Sequence, residues 1–186
     1  MNKLALGLKQ NIMYFFSSTE LIISYLIILY TVMNQNIYGV YLLFVALLKN
    51  ITLFLTKEIF RKYSFSKRPP NPFNCNVYNC GGISKSPGYP SGHMTNLGIY
   101  FAILYSNIYP ESKNKFLLLS SILVITTGMG RYYLNCHTLF QIISGLLFGL
   151  TVGYLINQIE GIILINNEKY QHDKEIFYQQ MNLVFS

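Results

Sequence analysis

Charge is what this sequence has least of. Only 11% of its 186 residues are Asp, Glu, Lys or Arg, and Asp occurs once, at Asp173. A soluble domain carries about 25% charged residues, so the composition excludes an ordinary water-soluble fold. The shortage of acid also leaves no carboxylate cluster, and the residues imply no metal. Cys75 and Cys80 lie five apart with no nearby His and no second Cys pair, which makes a poor zinc motif. There is no Trp, no internal repeat and no low-complexity segment, and the first ten residues carry two lysines without a cleavage site. The amino-terminal stretch therefore reads as an uncleaved anchor, and the chain as a single domain, 1–186.

Apolar residues supply 52% of the chain. They fall in five stretches that read as membrane spans: 12–33 (from Leu21 if Ser17-Ser18-Thr19-Glu20 stays outside the bilayer), 37–55, 94–109, 116–129 and 138–156. A span needs about 20 residues, so the third and fourth must borrow from their flanks. Tyr14-Phe15-Phe16, Tyr105 and Tyr109 stand near span ends, as interfacial anchors do. The expected fold is all-α, a polytopic membrane helical bundle of about five transmembrane helices with a polar tail at 166–186. Alternation puts the amino terminus, the loop 56–92 and the link around Arg131 on one side. The turns at Asn34-Gln35-Asn36 and 110–114 lie on the other, with the tail. The basic excess on the first side marks it as cytosolic only if none of those charges has a chemical role. The net charge of +7 gathers in one loop beside apolar segments, not along a polar helix. That favours anionic substrates or lipid headgroups and argues against nucleic acid.

Three short pieces carry chemistry. The first is basic: Lys57-Glu58-Ile59-Phe60-Arg61-Lys62, then Lys67-Arg68-Pro69-Pro70. It reads either as a juxtamembrane patch for anionic lipid or as a phosphate clamp, with Arg68 offering a planar fork to two phosphate oxygens. Pro69 ends any helix and pins the backbone beyond it. The second piece, Pro87-Gly88-Tyr89-Pro90-Ser91-Gly92-His93, empties a turn into the start of an apolar helix. Unpaired backbone N–H groups at such a start make an anion site. Gly92 lets backbone approach an oxyanion closely, Ser91 adds a hydroxyl donor, and His93 can carry a proton near neutral pH.

The third piece places Arg131 and His137 six residues apart at the mouth of the last span. From His137, the residues Gln141, Gly145, Gly149 and Gly153 follow at helical i+4 spacing. This stripe is expected to face the bundle interior, with His137 and Gln141 within reach of each other. Lys49, inside the second stretch, reads either as a functional intramembrane charge or as a side chain that snorkels to the interface. In the connector 71–82, Cys75 and Cys80 are either free thiols or a disulfide in an oxidising lumen. Cys136 reads as a passenger beside His137.

Arg68-Pro69, Pro90-Ser91-Gly92-His93, and Arg131 followed by His137 resemble the three signature motifs of the type 2 phosphatidate phosphatase superfamily: K-x6-RP, PSGH and SR-x5-H-x3-D. The resemblance covers 56–149. It implies a phosphatidic acid phosphatase type 2/haloperoxidase-like core, a lipid phosphate substrate, and no metal or other cofactor. It also implies that His137 is the nucleophile of a phosphohistidine intermediate and His93 the acid and base. Arg61 (or adjacent Lys62), Arg68, Ser91, Gly92 and Arg131 would then hold the phosphoryl oxygens.

Three positions depart from the pattern. Arg61 stands where the first motif has Lys, Gly130 replaces the Ser before Arg131, and Gln141 stands where Asp orients and charges the nucleophile. A Gln can fix the imidazole by a hydrogen bond but cannot offset its positive charge. Arg131-x-Tyr133-Leu134-x-x-His137-Thr138-x-x-Gln141 is similar to the third motif of the dolichyl-diphosphatase branch, where Gln replaces Asp. That branch hydrolyses a polyprenyl diphosphate, with its active site facing the lumen of the endoplasmic reticulum. The alternatives are a broad phosphatidate phosphatase, a headgroup transferase, or a lipid-phosphate binder weakened by Gln141. A channel or transporter fits less well, because the basic and His residues sit at span ends, not at mid-membrane.

Overall fold

The computed structural model describes residues 19–70, 72, 75 and 86–185. Its described residues form α1 (Thr19–Asn34), α2 (Ile37–Phe60), α3 (Gly92–Asn107), α4 (Lys113–Tyr133), α5 (Leu139–Ile163) and α6 (Glu168–Phe185), with no strand. Single 3-10 turns lie at Ser64–Ser66 and Pro110–Ser112. Local chemistry fixes several of these starts. The Asn36 side chain accepts the Gly39 N–H at 3.0 Å and caps α2, satisfying one of the helix's orphan donors. Thr138 and Gln141 form a reciprocal capping box at the start of α5.

Among the described residues, three helices are long and apolar enough to cross a membrane: α2, α5, and α4 together with the turn before it, Pro110–Tyr133. They mark an integral membrane protein. Their outward residues, such as Phe44, Leu47, Phe54, Ile143 and Leu147, are large, apolar and exposed, as lipid-facing positions should be. Of the other two expected spans, α3 is a helix of 16 residues, short of the about 20 that a bilayer requires, and α1 is described from Thr19 to Asn34. The proposed beginning of the first span, 12–18, lies outside the described residues, as does Tyr14-Phe15-Phe16.

α3 is the buried centre. Met94 to Phe101, with Ile103 and Leu104, are all buried, and Leu97, Tyr100 and Ile103 join Tyr38, Leu42 and Val45 of α2 in the main core. Its closest partner is α5, which runs parallel to it. A Cβ on Gly149 would strike the carbonyl of Thr95, and one on Gly153 would stand 2.6 Å from the carbonyl of Ile99. Gly98 returns the contact, 2.6 Å from the carbonyl of Leu146. Small residues therefore let two backbones touch, and the Gly145, Gly149, Gly153 stripe is buried. Because the pair is parallel, both helix N-termini, each carrying partial positive charge, emerge at the same end of the bundle.

The polar tail folds as α6 and docks at the opposite end. Tyr178 and Tyr38 share a hydrogen bond of 2.6 Å, Lys174 pairs with buried Glu160 at 2.5 Å, and the Asp173 carboxylate accepts the Ile37 N–H at 2.8 Å.

Candidate active site

Four chain segments meet where α2 and α4 end and α3 and α5 begin, and Arg68 joins three of them. Its Nε donates to the Ser86 carbonyl at 3.0 Å, Nη2 to the Ser86 hydroxyl at 3.1 Å, and Nη1 to the Cys136 carbonyl at 2.8 Å. The same Nη1 stands 3.4 Å from Nε2 of His137. Arg131, in the last turn of α4, is buried and donates to the carbonyl of Cys75. Lys57, in the last turn of α2, donates to the Pro87 carbonyl at 2.8 Å.

This cluster sets the state of its groups. Burial brings the Arg68 guanidinium down to about 10, which leaves it a cation at neutral pH. His137 is held well below the usual imidazole range, first by burial and then by Arg131, Arg68, Lys57 and His93. It is therefore a neutral imidazole near pH 7, with a lone pair to offer. Its Nε2 faces Arg68, while its buried Nδ1 has no hydrogen-bond partner among the described residues.

The start of α3 supplies donors. Ser91 makes no side-chain cap, and its buried hydroxyl has no partner among the described residues. Gly92 and the residues after it thus begin the helix without a side-chain cap. His137 opens onto a cavity of about 610 Å³ walled by Pro69, Tyr132, Tyr133, Leu139 and Phe140. Those two tyrosines, Leu139 and Phe140 are exposed, so the cavity is apolar at its rim, and its polar wall includes His137, backed by Arg68. Aromatic rings hold the surrounding turns together: Phe65 meets Tyr89 edge-on at 5.0 Å, and Tyr89 stacks on Phe140 at 5.7 Å.

The structure brings Arg68, Ser91, Gly92, His93, Arg131 and His137 to one end of the bundle. It does not bring Arg61 or Lys62 there. Arg61 follows the last residue of α2, turns back to Glu58 with Nε donating at 2.8 Å, and is 55% exposed. The exposed Lys62 ammonium lies over the Tyr63 ring, 5.2 Å from its centre. Lys57, one helical turn before Arg61, occupies the inner position that the motif spacing assigned to Arg61. A turn's shift leaves a residue on the same helix face, so spacing alone could not choose between them.

Gln141 is buried, but its amide bonds to backbone and does not meet the imidazole. Oε1 accepts the Thr138 N–H at 3.2 Å, and Nε2 donates to the carbonyls of Phe65 and Lys67, both at 2.8 Å. Cys136 is no passenger, since it forms a disulfide with Cys75 across 61 residues of sequence, Cα to Cα 5.3 Å. The pairing sets Cys75 against the link after α4, where Arg131 grips its carbonyl; five-residue spacing could not reveal it. Cys80 lies outside the described residues. Ser86, which accepts twice from Arg68, was also not singled out by sequence, because it belongs to no motif.

A model of the PAP2 superfamily matches residues 36–162, well over half of the chain and every residue of this cluster. No curated protein and no solved structure matches the chain. The family match supports a lipid-phosphatase type of function in a membrane.

Proposed function

Because the chain belongs to the PAP2 superfamily, we propose that it is an integral-membrane diphosphatase that converts a polyprenyl diphosphate of the dolichyl kind to the monophosphate. The observation that carries this reading is the placement of His137. Its Nε2 lies 3.4 Å from Arg68, on the wall of a cavity rimmed by exposed Tyr132, Tyr133, Leu139 and Phe140. A phosphoryl group suits the imidazole with Arg68 behind it, and a long apolar chain suits the rim. The prenyl assignment draws on Gln141 in its setting of Tyr133, Leu134 and Thr138.

In the first half-reaction the Nε2 lone pair of His137 attacks the terminal phosphorus. The P–N bond forms as the bridging P–O bond breaks. His93, which burial and then Arg131, Lys57 and Arg68 hold neutral before substrate binds, takes up a proton as the anionic diphosphate offsets those cations and gives it to the departing lipid monophosphate. In the second, His93 takes a proton from water as the water oxygen attacks phosphorus. The P–N bond breaks, inorganic phosphate leaves, and His137 returns neutral. Lys57, Arg68 and Arg131 offset charge on the phosphoryl oxygens, with the Ser91 hydroxyl and the Gly92 N–H as further donors. The Cys75–Cys136 bond beside the nucleophile supports a site facing an oxidising compartment, as the lumen of the endoplasmic reticulum would be.

The test is phosphate release by purified protein in detergent with EDTA, from dolichyl diphosphate, farnesyl diphosphate and phosphatidate in parallel. His137→Ala and His93→Ala are each expected to abolish turnover. Release from phosphatidate as well would make the protein a broad lipid phosphatase, and full activity in His137→Ala would sink the mechanism. One observation favours a second reading, a lipid-phosphate binder with weakened turnover: nothing among the described residues fixes the tautomer of His137 through Nδ1. Tight binding of the lipid without release would select it.

A further inference from the structure

Gln141 is 0% exposed, and every polar atom of its amide is engaged. The two carbonyls that it holds, of Phe65 and Lys67, belong to the turn that delivers Arg68. Its own main-chain carbonyl accepts the Ser91 N–H at 3.1 Å, so one residue ties the Arg68 turn and the start of α3 to α5. Gly88 lies flat against the same amide: a Cβ there would stand 2.6 Å from Oε1 and 2.9 Å from Nε2.

The site asks one side chain for two donors and one acceptor. A primary amide meets that demand, and the partners themselves assign which end is nitrogen. A carboxylate would set lone pairs against two backbone carbonyls, and Asp would also fall one methylene short. Building on the phosphatase reading above, we propose that Gln141 is a positioning residue for phosphate binding. It fixes the 65–67 turn and so aims the Arg68 guanidinium between Ser86 and His137, and it does not orient the His137 ring. The exchange of Asp for Gln is then a change of task.

The experiment uses the purified full chain in detergent and measures inorganic phosphate affinity by calorimetry beside KM and kcat for the lipid. Gln141→Met keeps the length and volume of the side chain and removes its hydrogen bonds. It is expected to weaken phosphate binding by about tenfold, with KM rising in step. In an Arg68→Ala background the same change is expected to add less than about twofold, because the effect acts through Arg68. Gln141→Asp is expected to gain nothing over the native residue. Gly88→Ala, which presses on the amide without altering it, is expected to copy Gln141→Met and decides the matter if that variant does not fold.

Unchanged phosphate affinity with a fall in kcat and a shifted pH limb would overturn the proposal in favour of ring orientation. Losses that multiply with Arg68→Ala would overturn it in favour of general stability. A wild-type chain that binds phosphate but releases none from any lipid would reject the phosphatase reading, while the binding cycle would still judge Gln141.

Discussion

Nη1 of Arg68 stands 3.4 Å from Nε2 of His137. One cation thus borders the nitrogen proposed as the nucleophile; its Nε and Nη2 are anchored on Ser86, and Nη1 itself on the Cys136 carbonyl. A lysine could restore the charge but not this three-way geometry. Arg68→Lys is expected to lower kcat/KM by about 10²–10³, the range seen when one preorganised charge-stabilising donor is removed. Steady-state kinetics on a prenyl diphosphate would measure it, and near-native activity would show that the planar fork is dispensable.

The same proximity sets a pH dependence. In the proposed mechanism attack needs neutral His137, which is present above its pKa and lost as pH falls through it. Burial and the nearby cations hold that pKa below the usual range, so the acid limb is expected below about 6.5. Arg68→Gln removes one repelling charge and should move the limb upward. A ¹⁵N-histidine titration of the substrate-free protein reads this directly; a native His137 titrating at or above the ordinary value would contradict it.

Reduction offers a separate handle. The Cys75–Cys136 bond closes a long loop and places the carbonyls that Arg131 and Arg68 use. Loop-closure entropy for this length gives about 4 kcal/mol as the loss on reduction. Dithiothreitol, Cys75→Ser and Cys136→Ser should each lower the thermal midpoint, and should cut kcat/KM by about tenfold if the arginines lose their aim. The double substitution should add nothing to either single one. Additive losses would mean that the two cysteines act separately.

These outcomes bear on what the chain reveals before it folds. The helices, the inward glycine stripe and the end of the bundle where Arg68, His93, Arg131 and His137 gather are legible because each follows from periodicity or from a contiguous motif. Four things were not legible. Lys57 and Arg61 are one turn apart, and only the point where α2 stops decides which of them turns inward. The pairing of Cys75 with Cys136 is a tertiary event, invisible to spacing. Gln141 lies where the pattern predicts, but its partners are backbone carbonyls, and backbone carbonyls leave no trace in a sequence. The polar tail hid its own docking, since Lys174, Asp173 and Tyr178 become a matching face only once α5 offers Glu160 and α2 offers the Ile37 N–H and the Tyr38 hydroxyl.

That docking makes a prediction away from the chemistry. Glu160 is 4% exposed and pairs with Lys174 at 2.5 Å. Lys174→Ala would leave a buried carboxylate without its cation, at a cost of about 3–5 kcal/mol. Thermal or denaturant unfolding should show the loss, while KM at temperatures where the protein stays folded should hardly change. A Glu160→Gln, Lys174→Met pair should recover most of the stability, because removing both charges removes the conflict. Failure of that rescue would point to packing of α6, not charge, as the source.

The last test separates two lysine-and-arginine candidates for the same task. Motif spacing favours Arg61, yet its guanidinium bonds Glu58 and lies in solvent. Lys57 reaches the Pro87 carbonyl at 2.8 Å, at the head of the loop that carries Ser91 and His93. Lys57 is among the cations that act on His137, and a phosphoryl group held there would offer its side chain a charged partner in place of a neutral carbonyl, a contact worth about 1.5–3 kcal/mol. Lys57→Ala is therefore expected to raise KM for the lipid and the inhibition constant for inorganic phosphate by about 10–100-fold. Arg61→Ala should cost far less on both measures, and Glu58→Ala should not worsen binding, since it only frees an outward-facing arginine. If Arg61→Ala proves the more damaging, the end of α2 must rewind in the bound state and carry Arg61 inward. The spacing would then have named the right residue, and the resting structure would hold it in reserve.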